Sequence, residues 1–214
     1  MTVNFDQLNN IEKTLSLSQR KIELLIVTKK RSRLDLLRLL EKGYRTFGEN
    51  KVQEAALKFD ETIMDHYFDL KLHLIGPLQS NKAKLALSTF DTIQSVDRKK
   101  IIDIISKEMN QNLKAKTKEF YIQINIGKES QKFGVFPDEV NELYEYALDK
   151  KINVIGLMCI PPNNDSPEVY FQQMINIRNS LNSSLKLSMG MSSDYELAIK
   201  NSSNLIRIGS LIFN

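Results

Sequence analysis

Residues 22–31, IELLIVTKKR, decide between the two folds that the rest of the sequence allows. The first six, apart from Glu23, form a short apolar run, which is typical of a strand buried on both faces of a parallel sheet. An open, doubly wound sheet usually has a glycine-rich turn after its first strand. Here the run is followed by Thr28-Lys29-Lys30-Arg31, without a glycine. The stretch therefore favours a closed barrel.

Seven further runs resemble this one, and amphipathic stretches separate them. The eight predicted strands are Ile22–Val27, Tyr44–Phe47, Lys71–Ile75, Thr92–Val96, Phe120–Ile126, Asn153–Leu157, Leu185–Ser188 and Leu205–Ile208. Between them, apolar residues recur at helical spacing, as in Ile101, Ile105, Met109 and Leu113. Strand–helix alternation predicts parallel strands with right-handed crossovers. We expect an α/β fold with one domain over residues 1–214, a (β/α)8 barrel of the TIM type.

Composition excludes several classes of protein. The single cysteine, Cys159, rules out an internal disulfide and suits a reducing compartment. The chain has neither a signal-like N-terminus nor an apolar run of about 18 residues, so we expect a cytoplasmic protein without a membrane span. The net charge is +4, but the 30 basic residues are interleaved with 26 acidic ones. This pattern indicates a solvated surface and not a nucleic-acid interface.

In a barrel of this type, chemistry takes place at the carboxyl ends of the strands. The loops after the seventh and eighth predicted strands carry Gly190, Ser192 and Ser193, and then Gly209 and Ser210. These loops often bind a phosphate in barrels, because glycines let the backbone approach and free N–H groups attract an anion. No cluster of residues with metal-ligand spacing accompanies them, and we predict no metal site.

Lys29 follows the first apolar run and has two interpretations. It could be a surface lysine whose stem covers apolar residues. Alternatively, burial and the basic neighbours Lys30 and Arg31 lower the pKa of its amine, which then forms a Schiff base. A lysine opposite a phosphate site in a barrel suggests pyridoxal 5'-phosphate (PLP). Asn50, after the second strand, could line the same site or cap the next helix.

Several ordered blocks resemble the pyridoxal phosphate homeostasis proteins over nearly the whole chain, from about Ile22 to Phe213. The blocks are Val27-Thr28-Lys29, Phe47-Gly48-Glu49-Asn50 with Val52-Gln53-Glu54, His73-Leu74-Ile75-Gly76, Leu78-Gln79-Ser80-Asn81-Lys82, Gln94-Ser95-Val96-Asp97, Gly156-Leu157-Met158, Leu187-Ser188-Met189-Gly190-Met191-Ser192 with Asp194, and Arg207-Ile208-Gly209-Ser210.

The resemblance implies a PLP fold of type III, the barrel of alanine racemase without its C-terminal β domain. It implies a covalent aldimine between PLP and Lys29, phosphate binding by Ser192, Gly209 and Ser210, and Asn50 in the pocket wall. Arg207 matches an arginine beside the pyridine nitrogen.

Such an arginine opposes protonation of the ring, which makes PLP a weaker electron sink. We therefore expect a protein that holds PLP and delivers it, and that contributes in this way to vitamin B6 homeostasis. PLP-dependent apo-enzymes are the candidate recipients. We also expect the protein to be a monomer. We expect no catalytic residues. The alternatives are a PLP-dependent amino-acid racemase or lyase with a minimal site, and a barrel enzyme that acts on sugar phosphates without PLP.

Overall fold

The computed structural model of the protein describes residues 3–111, 115–163 and 166–213. Within these ranges, parallel strands form a closed barrel in the order β1 to β8. The strands are β1 (Glu23–Val27), β2 (Thr46–Glu49), β3 (Lys71–Leu74), β4 (Thr92–Val96), β5 (Glu119–Ile124), β6 (Val154–Cys159), β7 (Lys186–Ser188) and β8 (Leu205–Ile208). The predicted TIM-type barrel is confirmed.

Helices surround the barrel and cover the outward faces of the strands. They are α1 (Phe5–Ser16), α2 (Arg33–Glu41), α3 (Val52–Lys58), α4 (Glu61–His66), α5 (Ala83–Thr89), α6 (Lys99–Gln111), α7 (Val140–Asp149), α8 (Pro167–Leu181) and α9 (Tyr195–Lys200). Ile101 and Ile105 of the predicted stripe are buried on α6, while Leu113 lies outside the described residues. In the described part of the chain, no helix is long and apolar enough to cross a membrane.

The barrel closes where β1 pairs with β8, from Glu23 beside Leu205 to Ile26 beside Ile208. On its other edge β1 pairs with β2, where Val27 lies beside Gly48. This closure places the turn after β1 between the loops that follow β2 and β8. Residues from both ends of the sequence therefore meet at one mouth.

The second strand begins two residues later than the sequence pattern predicts. Tyr44 follows the turn that ends α2, and its N–H donates to the carbonyl of Leu39 in that helix. Gly43, with a φ of +91°, makes the left-handed turn that ends this helix. The backbone of Tyr44 therefore helps to end the helix, although its aromatic side chain had suggested the start of a strand.

Glycines make room inside the barrel. A Cβ added at Gly156 would lie 2.4 Å from Cε1 of Tyr121 and 2.5 Å from the carbonyl oxygen of Lys186. At Gly48 the nearest atom is Cδ2 of Leu25, at 2.3 Å. The leucine end can rotate away, whereas the backbone carbonyl beside Gly156 is held in the sheet.

We expect Gly156→Ala to lower the free energy of unfolding by about 3 kcal/mol and Gly48→Ala by about 1 kcal/mol, because overpacking costs most where neighbours cannot move. Urea denaturation followed by circular dichroism measures both values. Equal losses in the two variants would contradict this account of the barrel interior.

Candidate functional site

A cavity of about 510 Å³ opens at the carboxyl ends of the strands. All six residues predicted to bind the cofactor line it: Lys29, Asn50, Ser192, Arg207, Gly209 and Ser210. The sequence-based set omits the apolar part of the wall and one further serine, which are Val27, Ile75, Ile160, Met191, Ser193 and Leu211. Ser193 stood beside the chosen serines in the sequence, but the apolar residues carried no signal that set them apart from the core.

The turn after β1 distinguishes Lys29 from its neighbour Lys30. Lys29 lies on the cavity wall with Val27, two residues before it, whereas Lys30 has a φ of +59° and does not line the cavity. Alternation along an extended chain explains why Val27 and Lys29 face the same side. Both lysines are exposed, so the Lys29 side chain lacks the burial that one of its two interpretations assumed. The turn extends beyond the strand, into solvent at the mouth.

Three buried or nearly buried groups hold the base of this turn. The hydroxyl of Thr28 and the Nζ of Lys58 each donate to Oε1 of Glu49 at 2.7 Å, and Lys58 also donates to the carbonyl of Thr28 at 2.7 Å. The Glu49 side chain is fully buried, and that of Lys58 is 11% exposed. Because the Thr28 carbonyl belongs to the peptide that leads into Lys29, this ion pair fixes where the Lys29 side chain starts.

The loops after β7 and β8 are joined by one hydroxyl. Oγ of Ser192 accepts from the backbone N–H of Gly209 at 3.4 Å and of Leu211 at 3.2 Å. Within the described residues, the backbone N–H groups of Ser192, Ser193 and Ser210 donate to no protein acceptor. These three donors lie on residues of the cavity wall, where they can bind an anion.

Asp194 shapes the same loop although it does not line the cavity. Its carboxylate accepts from the N–H of Met191 at 2.6 Å. Gly190 allows the tight approach, with a φ of +99° and only 2.6 Å between an added Cβ and that of Ala198. Burial raises the pKa of Asp194. Sequence reasoning did not assign this residue, and helix α9 begins directly after it.

Arg207 reaches the cavity from inside the barrel and is almost fully buried. Its guanidinium donates to the hydroxyl of Ser188 and to the carbonyl of Cys159, both at 2.8 Å. No carboxylate in the described part of the chain forms a salt bridge with it. Burial lowers the pKa of Arg207. A buried cation with only neutral partners is costly, and an anionic or electron-rich ligand would offset that cost.

A chain of hydrogen bonds runs from Arg207 across the barrel. Ser188 accepts from Arg207 and donates to Oε1 of Gln94 at 2.6 Å. The amide nitrogen of Gln94 then lies 2.9 Å from Nδ1 of His73. Because Gln94 presents its oxygen to Ser188, its nitrogen donates and His73 accepts as the neutral tautomer with a proton on Nε2. Every bond in the chain therefore points away from the arginine.

The remaining candidate residues have structural roles. His73 and Cys159 are both buried. Burial raises the pKa of the Cys159 thiol to about 12. Asn50 does not cap the next helix, because Lys51 precedes α3. No group of His, Cys, Asp or Glu in the described ranges could hold a metal ion.

The Lys58–Glu49 pair yields a stability prediction. Lys58→Met leaves a buried carboxylate without its cation, and we expect the free energy of unfolding to fall by about 3 kcal/mol. The matched control is Lys51→Met at the opposite end of α3, because Lys51 pairs with Glu54 at the surface and its side chain is 66% exposed. That variant should lose less than about 1 kcal/mol. Comparable losses in urea denaturation would show that the buried pair does not hold the turn.

His73 yields a pH prediction. Burial, assisted by the charges of Lys71 and Lys186, lowers its pKa from 6.5 to about 3. Between these values the unfolded chain binds a proton that the folded chain does not, so stability falls as pH falls below 6.5. At pH 5 the loss due to His73 is about 2 kcal/mol.

We expect His73→Gln to remove this part of the loss between pH 7 and pH 5, whereas the exposed His66→Gln retains it. Denaturant unfolding at each pH measures the difference. An unchanged pH dependence in His73→Gln would contradict the assignment of a neutral imidazole.

Comparisons with known proteins agree with this geometry. The alanine racemase N-terminal domain family matches residues 6–214. A pyridoxal phosphate homeostasis protein of Aquifex aeolicus is 39% identical over 180 residues, which are 80% of this chain and 77% of that protein. One from Haemophilus influenzae is 36% identical and covers 95% of each chain.

Solved structures agree as well. PipY of Synechococcus elongatus, determined with PLP bound, superposes with a TM-score of 0.83 at 28% identity and covers 98% of this chain and 99% of its own. The alanine racemase of Acinetobacter baumannii shares the fold, with a TM-score of 0.76 at 15% identity over 61% of that chain. The barrel, the residues gathered at its mouth and these likenesses together show that the chain belongs to the pyridoxal phosphate homeostasis proteins, a family built on the alanine racemase N-terminal domain.

Proposed function

We propose that this chain binds PLP in the cavity at the barrel mouth, holds it covalently as an aldimine on Lys29, and contributes to PLP homeostasis by sequestering and delivering it. The observation that carries the proposal is the convergence of a primary amine, a buried guanidinium without a salt bridge among the described residues, and free backbone N–H groups on one cavity. The PLP-bound structure of PipY and the names of the relatives support it.

The residues present fit each part of the cofactor. A phosphate is a dianion that suits the N–H groups of Ser192, Ser193 and Ser210. An aldehyde condenses with the amine of Lys29, the only lysine on the wall among the described residues. The pyridine nitrogen is a hydrogen-bond acceptor, and Arg207 can only donate.

The hydrogen-bond chain behind Arg207 determines whether the pyridine nitrogen of PLP can be protonated. A guanidinium that stays protonated cannot give its proton to the pyridine nitrogen, and the neutral groups behind it cannot supply one. When bound, PLP acts as an electron sink that stabilises a carbanion, and an unprotonated pyridine ring does so poorly. Arg207 thus favours retention of PLP over chemistry at a substrate carbon.

The cavity wall also argues against a racemase or lyase. Its described residues include no carboxylate, histidine, tyrosine or thiol. Racemisation requires proton transfer on both faces of a carbon, and Lys29 supplies one base at most. No observation on the wall favours the enzymatic alternative.

The test combines absorbance and mass mapping. With PLP, the protein should show the absorbance band of an imine, and borohydride followed by peptide mapping should find the reduced label on Lys29. Lys29→Met should lose the band and the label completely. The control is Lys30→Met, which removes the same charge from the adjacent position and should retain both.

A label on Lys30, or no label at all, would overturn covalent attachment to Lys29. Delivery is tested by mixing the PLP-loaded protein with a PLP-dependent apo-enzyme in the presence of a scavenger of free PLP. Recovery of that enzyme's activity despite the scavenger supports delivery, and recovery only without the scavenger contradicts it.

A further inference from the structure

A second cavity, of about 440 Å³, lies beside the first at the barrel mouth. It lies between the loops that follow β2, β3 and β4, and Phe133 from the loop after β5 forms part of its wall. Asn50 belongs to the walls of both cavities. A Cβ added at Gly76 would lie 2.2 Å from the carbonyl oxygen of Asn50, so the loop after β3 packs directly on this shared residue.

The charges on the second wall all have one sign. Lys51, Lys82 and Arg98 line it, and no carboxylate does so among the described residues. Lys51 pairs with Glu54, and Arg98 pairs with Asp97. The side-chain amine of Lys82 has neither a salt bridge nor a hydrogen bond within the described ranges, and the residue is only partly exposed. The wall therefore presents one uncompensated positive charge.

Neutral acceptors and apolar groups complete the wall. The side-chain amides of Asn50, Gln53 and Gln79 make no hydrogen bond in the described part of the protein, so their oxygens can accept from a ligand. Val52, Pro77, Leu78 and Phe133 supply apolar surface, and Phe133 is 56% exposed although it is a large aromatic residue.

We propose that this second cavity binds a small α-amino acid with an apolar side chain, as its zwitterion. The single free cation of Lys82 matches one carboxylate, the three amide oxygens match the N–H groups of one ammonium, and the apolar residues match the side chain. A phosphate dianion fits less well, because the wall offers one unpaired cation for its two negative charges.

The shared position of Asn50 gives the second cavity a consequence for the first. An amino acid whose ammonium binds Asn50 occupies the other face of the residue that lines the PLP cavity. Binding of amino acid and retention of PLP are then coupled, and the coupling is reciprocal. This consequence rests on the proposed function, whereas the amino-acid site itself does not.

The test titrates the full chain, without PLP, with three organic probes and separately with inorganic phosphate, while backbone amide shifts are recorded by NMR. The probes are L-leucine, isopentylamine, which lacks the carboxylate, and isocaproate, which lacks the ammonium. We expect leucine to shift the amides of residues 50–53 and 78–82 and to bind about tenfold more tightly than either analogue, the effect of one charge-assisted interaction.

Variants of Lys82 test whether its positive charge binds the carboxylate of the ligand. Lys82→Gln should lower the affinity for leucine and for isocaproate about tenfold and leave the affinity for isopentylamine unchanged. Lys82→Arg should restore binding. The control is Lys84→Gln, which removes the same charge from an exposed lysine outside the cavity and should have no effect. Thermal unfolding of each variant shows whether the fold is retained.

Absence of leucine binding, equal affinity for leucine and isocaproate, tighter binding of inorganic phosphate, or equal losses in Lys82→Gln and Lys84→Gln would each overturn the proposal. The readout does not involve PLP. A failure of the imine band at Lys29 would therefore refute the proposed function and leave the amino-acid site standing, and the reverse also holds.

Discussion

The hydrogen bonds between β1 and β8 close the barrel, and the site depends on that closure. They place Leu25 beside Arg207 and Ile26 beside Ile208, so that the turn with Lys29 and the loop with Gly209 leave neighbouring strands at the same end. An added Cβ at Gly209 would lie 3.2 Å from the carbonyl oxygen of Val27. Because all strands are parallel, every loop that could contribute a ligand-binding group begins at this end.

The interior of the barrel is unusual in what it buries. Leu25, Val27 and Leu205 form a small apolar cluster with Ile75, separate from the larger core between strands and helices. The rest of the interior carries the polar chain from Arg207 to His73. Such networks specify one arrangement when every member has a partner, because a missing partner leaves an unpaired polar group in a low dielectric. The orientation of Arg207 is therefore determined by residues on four other strands, β3, β4, β6 and β7.

Much of the fold could be predicted from the sequence, because the signals are local. Apolar runs marked the eight strands with shifts of at most two residues at either end, and the absence of a glycine-rich turn after β1 indicated closure. The six predicted cofactor residues meet at one cavity because strand ends in this fold share one face. Whether they bind PLP remains the proposal made above.

The parts that could not be predicted depend on distant side chains. Local sequence periodicity does not reveal strand register or side-chain rotamers. Three features depend on these: the Glu49–Lys58 pair, the hydrogen bonds from the loop after β8 to Ser192, and the hydrogen-bond chain through Gln94. The sequence left open whether Lys29 is exposed or buried, because the pattern does not show how far the turn extends past the strand. The second cavity was missed because its wall combines residues from several loops.

The position of Cys159 has a practical consequence. It is the only thiol of the chain, it is completely buried in β6, and its backbone carbonyl accepts from Arg207. A thiol that stays protonated and shielded does not react with alkylating reagents while the barrel is closed. The rate at which Cys159 is alkylated would therefore measure how often β6 opens. Mass spectrometry can follow this rate as a single mass shift, without an engineered label.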